Sequence, residues 1–85
     1  MIWHVEVDRS VNKYLARIPK KDAARLAATL DEFETNPLAG DIIKLSSEDA
    51  VWRRRIGSYR IFFEFFADRR TVLVHEIRRR GSNTY

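Results

Sequence analysis

The first half of the chain shows one strand pattern followed by two helical patterns. Residues 2–7, IWHVEV, are rich in β-branched and aromatic side chains and predict an opening strand. Apolar side chains then recur at i, i+3, i+4 and i+7, the spacing of one helix face, at Val11, Tyr14, Leu15 and Ile18. A second apolar helix face follows Pro19 and comprises Ala23, Leu26, Ala27, Leu30 and Phe33, before Asn36-Pro37 ends it. These patterns predict a helical hairpin, with Asp8 or Ser10 as the cap of its first helix.

The second half of the chain reads as consecutive short strands. Strands are predicted near residues 42–45, at 51–56, at 59–66 and at 71–77, with turns at 46–49, 57–58 and 67–70 and an irregular tail from residue 78. Consecutive strands joined by tight turns favour antiparallel pairing. The predicted fold is therefore α+β: an N-terminal strand and helix hairpin packed on a small twisted antiparallel sheet. The other face of that sheet is left for solvent or a ligand.

Size and composition place this fold in one small domain. The chain has 85 residues, so residues 1–85 are expected to share a single modest core. It contains no cysteine, which excludes a disulfide framework and thiol chemistry. No signal peptide is recognised, and no apolar run approaches the roughly 20 residues of a membrane span. A cytoplasmic protein without membrane contact is expected.

Positive charge is concentrated in the second half of the chain. The net charge is +4, and residues 43–85 hold ten of the 16 Lys and Arg residues but only five of the 12 Asp and Glu residues. Nine of those ten basic residues are arginines. This distribution suggests a polyanionic partner, most simply nucleic acid, although a soluble protein can also be basic without binding one.

Strand alternation predicts which way the arginines point. Arg53 and Arg55 share one face of their strand, opposite Trp52, Arg54 and Ile56. In the next strand Tyr59, Ile61, Phe63 and Phe65 form the set that faces the helices, which leaves Arg60 on the open face with Phe62, Glu64 and Phe66. Three arginines there suit phosphate, and the phenylalanines could stack on bases. The alternative is that Glu64 and Glu76 neutralise the arginines and the phenylalanines only cover the sheet.

Three segments resemble a known family. They are KKDAARLAATLDEFETNP at 20–37, KLSSEDAVWRRRIGSYRIFFEF at 44–65 and VLVHEIRRRGSNTY at 72–85. In these motifs and in element order the chain resembles the RelE/ParE superfamily of type II toxins. The resemblance implies a microbial ribonuclease-like fold and a cognate antitoxin bound in a toxin–antitoxin hetero-oligomer. RelE-like members cleave mRNA in the ribosomal A site without a metal or other cofactor, whereas ParE-like members poison DNA gyrase.

The resemblance also implies site residues. The paired basic positions fall on Arg53 and Arg55, and the arginine of the Tyr-Arg pair is Arg60. The arginine after the last strand is Arg79, with Arg78 or Arg80 as alternatives, and the terminal tyrosine is Tyr85. By resemblance Arg60, Arg79 and Tyr85 are catalytic, and Arg53, Arg55 and Arg78 hold the substrate.

ParE-like chains tend to lack this full set, so the resemblance favours the nuclease branch. The predicted function is a toxin that cleaves mRNA on the ribosome and inhibits translation. Two alternatives stay open: a ParE-like gyrase inhibitor, and a degenerate toxin that only binds antitoxin or RNA.

The general base for RNA cleavage is not identified by these motifs. Some relatives carry lysine where this chain has Arg53 and Arg55, and an arginine with a pKa above about 12 does not give up its proton. The base could be His75, Glu76 or Tyr85, or could come from the ribosome. Alternation groups His75 with Leu73 and Ile77, against the core. Two distant histidines and no cysteine do not predict a metal site.

Overall fold

The computed structural model describes residues 2–45 and 51–79. The turn predicted at 46–49, Arg80 and Tyr85 lie outside these residues. The order of elements is strand, two helices and four strands, with a short 3₁₀ turn before the last strand: β1 His4–Val7, α1 Arg9–Arg17, α2 Lys20–Glu32, β2 Ile42–Lys44, β3 Val51–Ile56, β4 Tyr59–Phe66, the 3₁₀ turn Ala67–Arg69 and β5 Thr71–Arg79. The predicted elements all form, and β5 runs two residues further than expected.

The five strands make one mixed sheet in the order β1-β5-β4-β3-β2. Strands β2 to β5 pair antiparallel, as predicted, but β1 pairs parallel with β5. Tight turns dictate the direction only of strands that follow one another in sequence. Both helices and three strands separate β1 from β5 in the sequence. No turn therefore fixes the direction of β1 beside β5. The α+β class is confirmed, with two helices on a mixed sheet.

The helical hairpin is fixed to the sheet at its first cap. Asp8 is the N-cap of α1, and its carboxylate accepts a hydrogen bond from the Ser10 backbone N–H at 2.9 Å. Hydrogen bonding from the Ser10 side chain, followed by that from its backbone N–H, holds the pKa of the Asp8 carboxyl below its ordinary value. The Ser10 hydroxyl also lies 3.2 Å from the backbone carbonyl of His75, to which it donates, and so ties α1 to β5. In the part of the chain that the structure describes, neither helix is long and apolar enough to cross a bilayer.

The core lies between the helices and one face of the sheet. Val11, Leu26 and Phe33 project from the helical segment and are fully buried, as the apolar periodicity predicted. The rings of Phe33 and Phe63 have centroids 4.7 Å apart, so the end of α2 packs directly on β4. At the other end of β4 the buried Tyr59 hydroxyl donates to the Asp22 carboxylate of α2 at 2.7 Å. That bond, followed by burial, raises the pKa of Tyr59.

Candidate nucleic-acid interface

The three consecutive arginines of β3 divide between the two faces of the sheet. Arg54 points to the helices, and its side chain is only 12 % exposed. It donates to the Ala39 carbonyl at 3.0 Å and to the Glu32 carboxylate at 3.2 Å. Its guanidinium also packs against Gly40, which has φ of +82°, so closely that a Cβ at Gly40 would collide with it. Arg54 therefore ties the segment before β2 to α2 and is a structural residue.

The other two arginines lie on the open face, and one of them, Arg55, joins a row that crosses three strands. Arg55 of β3 lies directly opposite Arg60 of β4, and Arg60 lies directly opposite Arg78 of β5. We call Arg55, Arg60 and Arg78 the arginine row. Arg53 belongs to the adjacent row, opposite Phe62. Paired strands are about 4.8 Å apart, so the structure brings four of the six predicted site residues onto one small surface.

Two members of the arginine row have carboxylate partners near the surface. Arg55 Nε lies 3.0 Å from Asp41 Oδ2, and Arg78 binds both oxygens of Glu76 at 3.1 and 3.0 Å. Of the two glutamates in the alternative interpretation, Glu76 binds Arg78 and Glu64 binds His75. Surface ion pairs of this kind contribute only about 0–1 kcal/mol, so a phosphate can exchange with these carboxylates at little cost.

Arg53 differs from the arginines that have carboxylate partners. Among residues 2–45 and 51–79, no ion pair involves Arg53, and its Nε atom is buried without a hydrogen-bond partner. That atom is enclosed, so a phosphate on the open face would meet the Arg53 guanidinium through its other nitrogens.

The last predicted arginine, Arg79, lies on the other side of the sheet. It pairs with the buried Tyr59, and its guanidinium carbon is 5.8 Å from the centre of the Tyr59 ring on the helix-covered face. Its neighbour Arg78 pairs with Arg60 instead. The resemblance gave Arg79 first, with Arg78 or Arg80 as alternatives, and alternation does not fix a side at a strand end. Within the described residues, Arg78 is the β5 arginine that reaches the arginine row.

An arginine guanidinium lies over the ring of each of the two phenylalanines on the open face. Arg78 Cζ is 5.3 Å from the ring centre of Phe62, and Arg69 Cζ is 4.6 Å from that of Phe66. A base that stacks on either ring must use the opposite ring face or displace a guanidinium. Beside Phe62 is a hollow of about 520 Å³ lined by Leu45, Val51, Phe62, His75, Glu76 and Arg78. Its volume is in the range of small-ligand sites.

His75 lies on this open face, so the expectation that it faces the core is wrong. The register of β4 and β5 shifts between Phe62, which pairs with Glu76, and Phe63, which pairs with Val74. His75 is thus the additional residue of a β-bulge, which interrupts alternation. Of the three residues that alternation grouped together, Leu73, His75 and Ile77, only Ile77 belongs to the buried core. The His75 Nε2 atom lies 2.8 Å from Glu64 Oε1. Sequence reasoning missed this pair because nothing in TVLVHEI marks the bulge.

Neither Tyr85 nor Arg80 can be placed relative to this face, because both lie outside the described residues. Within residues 2–45 and 51–79, no group of three or more histidine, aspartate or glutamate side chains is arranged to hold a metal ion. The side chains that the open face offers for chemistry are its arginines, His75 and the carboxylates of Glu64 and Glu76.

Comparison with known proteins identifies the family. Residues 1–84 match the family described as the ParE toxin of the type II toxin–antitoxin system parDE. The chain belongs to the RelE/ParE superfamily of type II toxins. It is also 30% identical over 83 residues to a candidate toxin of Methanocaldococcus jannaschii named RelE1, a match that covers 94% of this chain and 92% of that protein.

Solved structures support the same family and fold. The archaeal RelE–RelB complex of Pyrococcus horikoshii matches with 25% identity and a TM-score of 0.85, over 98% of this chain and 100% of that one. The isolated RelE toxin of Escherichia coli matches with a TM-score of 0.76, over 95% of this chain and 87% of that one. At 14% identity the second match shows the fold alone. The family predicted from the three motifs is confirmed, and RelE proteins are among its structural neighbours.

Proposed function

We propose that this RelE/ParE toxin is a metal-independent endoribonuclease that cleaves mRNA on the ribosome in the cytoplasm and so inhibits translation. The observation that carries the proposal is the arginine row with Arg53 beside it. Like charges directly opposite in a sheet destabilise it, and here Asp41 and Glu76 offset Arg55 and Arg78 through surface ion pairs that a phosphate can replace. RNA supplies phosphates at a spacing that such a surface can follow.

We assign roles to the site residues on the basis of their positions. Arg60, at the centre of the row, stabilises the negative charge that develops on the phosphate during cleavage. Arg78 supports it from β5, in the role that the sequence assigned first to Arg79. Arg53 and Arg55 hold the RNA backbone, with bidentate geometry as the usual mode of arginine on phosphate. Tyr85 keeps its predicted role of orienting the substrate.

A cognate antitoxin is the proposed protein partner. The Pyrococcus horikoshii RelE that this chain resembles was solved in a complex with RelB. Occupation of the open face by an antitoxin segment with acidic side chains would use the same arginines as RNA and would neutralise the toxin by competition. A toxin–antitoxin hetero-oligomer is therefore the expected resting form.

Primer extension on mRNA from translating ribosomes tests the nuclease proposal, with mRNA lacking ribosomes beside it. We expect cuts that require ribosomes and that fall by about 100-fold or more in Arg60→Ala, the typical effect of removing one group that stabilises a transition-state charge. The matched control is Arg17→Ala, which removes an exposed arginine at the end of α1, away from the open face. The control should retain the cuts.

A second candidate function is gyrase inhibition, because the matched family is described as ParE toxin. Growth arrest with intact mRNA, together with inhibited DNA supercoiling by gyrase, would support that function and refute the nuclease. Intact mRNA with normal growth and normal supercoiling would leave a toxin that binds RNA or antitoxin only. Cuts lost equally in Arg17→Ala and Arg60→Ala would contradict the assignment of the site to the open face.

A further inference from the structure

The open face also holds a hydrogen-bonded pair, His75 with Glu64. The His75 Nε2 and Glu64 Oε1 atoms are 2.8 Å apart, with side chains 40 % and 24 % exposed. An ionised carboxylate only accepts hydrogen bonds, so the imidazole donates through Nε2–H. The Nδ1 atom then carries the lone pair that can accept a proton. The pair has the chemistry of a base whose tautomer and orientation are set by an acidic partner.

The bulge places His75 in the same hollow as Arg78. It lies between Val74 and Glu76 on β5, opposite the step from Phe62 to Phe63 on β4. Phe62, which separates it from Arg53 across the sheet, also lines the 520 Å³ hollow together with His75 and Arg78. A nucleotide in this hollow would meet both the Arg78 guanidinium and the imidazole. Bulges commonly re-aim a side chain beside an active site.

The other candidate bases in the described residues are less suitable. Both oxygens of the Glu76 carboxylate are held by Arg78, at 3.1 and 3.0 Å. Arginines do not release a proton near neutral pH. Imidazole is the side chain that accepts a proton in this range, which is where a general base is most effective.

We propose that His75 is the general base of RNA cleavage and that Glu64 is its positioning residue; this rests on the proposed nuclease function. His75 Nδ1 takes the proton of the ribose 2′-OH, and the 2′-oxygen attacks the adjacent phosphorus. The P–O5′ bond breaks with its electron pair on the 5′-oxygen, which takes a proton from water. The products are a 2′,3′-cyclic phosphate and a 5′-OH end. The imidazolium then returns its proton to solvent.

Charged groups on four strands and at the start of α1 lie in the part of the molecule around His75. They are Glu64 on β4, Arg53 on β3, Glu6 on β1, Asp8 at the start of α1, and Glu76 and Arg78 on β5. Glu64 makes the shortest contact and stabilises the protonated imidazole once it has taken the proton.

Single-turnover cleavage of mRNA in programmed ribosome complexes, measured between about pH 5.5 and 8, tests this assignment. In the wild type the rate should rise with pH as the imidazole loses its proton and then level off. His75→Gln should lower the rate by about 100-fold or more and abolish the rising limb. Glu64→Gln should lower the rate by about tenfold or more and shift the pH range over which the rate rises. In His75→Ala, free imidazole should restore part of the rate.

The chain offers a matched control in its second His–Glu pair. His4 Nε2 and Glu6 Oε2 are 3.2 Å apart at the outer edge of the sheet, and both side chains are well exposed. His4→Gln should leave the rate and the pH limb unchanged. Circular dichroism and thermal unfolding check that each variant is folded.

The possible results separate the two proposals. If the wild type cleaves and Arg60→Ala does not, while His75→Gln keeps the wild-type pH limb, the assignment of His75 is wrong and the nuclease function stands. A His75→Ala variant that is folded and slow but is not accelerated by imidazole would also overturn it. If the wild type cleaves no mRNA with ribosomes, both proposals fail.

Discussion

The two faces of this sheet carry arginines and phenylalanines in opposite roles. On the helix-covered face Arg54 is nearly enclosed and bonded to Glu32 and Ala39, and Phe63 is fully buried. One residue away on the same strands, Arg53 and Phe62 point to the open face. The same residue types thus serve stability on one face and, in our proposal, RNA on the other.

The number of basic residues in this chain therefore does not show how much positive charge each face of the sheet carries. The run of three arginines in β3 looks uniform in the sequence, yet its central residue is a structural cross-link. Only the flanking residues, Arg53 and Arg55, contribute to the basic surface. The same division separates Arg78 from Arg79 in β5.

The largest difference in stability between the two faces is expected for the neighbouring phenylalanines of β4. Phe63→Ala should lower the free energy of unfolding by about 3–5 kcal/mol, because it leaves a cavity under the ring of Phe33. Phe62→Ala should lower it by about 1 kcal/mol or less, because the ring lies on the open face. Urea unfolding of both variants measures the difference. Equal losses would contradict the assignment of faces.

The adjacent arginines of β3 should show a smaller difference in stability between the two faces. Arg54→Ala should cost about 2–3 kcal/mol, because it leaves the Ala39 carbonyl and Glu32 without their donor in a partly enclosed site. Arg53→Ala should change stability by less than about 1 kcal/mol. It should instead lower the logarithmic salt dependence of single-stranded RNA binding by about 0.7, the value for one phosphate contact.

Salt titrations of RNA binding, together with urea unfolding, measure both arginine variants. Arg54→Gln is the milder companion if Arg54→Ala does not fold. An unchanged salt dependence in Arg53→Ala would show that this residue contacts no phosphate.

The elements and faces of the fold could be predicted from local pattern. Helical periodicity identified Val11, Leu26 and Phe33 as core residues, and alternation separated Arg60 from Tyr59 and Ile61. The direction of β1 could not be predicted, because it depends on a contact with β5 that no turn specifies. Long-range pairing of this kind leaves no periodic signal.

The site was predicted where alternation is regular and missed where it is interrupted. Arg53, Arg55 and Arg60 fall in unbroken strands, so their common face follows from period two. The bulge at His75 reverses the faces of all later β5 residues, so Arg78 rather than Arg79 meets Arg60. The carboxylate of Asp41 on Arg55 was also missed, because Asp41 lies in an irregular segment before β2.

The neighbouring arginines of β5 give the most direct test of the claim that the open face is the RNA site. Primer extension on mRNA from translating ribosomes should be made with Arg78→Ala and Arg79→Ala side by side, since the two variants remove the same charge from opposite faces. The account predicts that ribosome-dependent cuts fall by about 100-fold in Arg78→Ala and by less than about threefold in Arg79→Ala. Loss of the cuts in Arg79→Ala with retention in Arg78→Ala would contradict it.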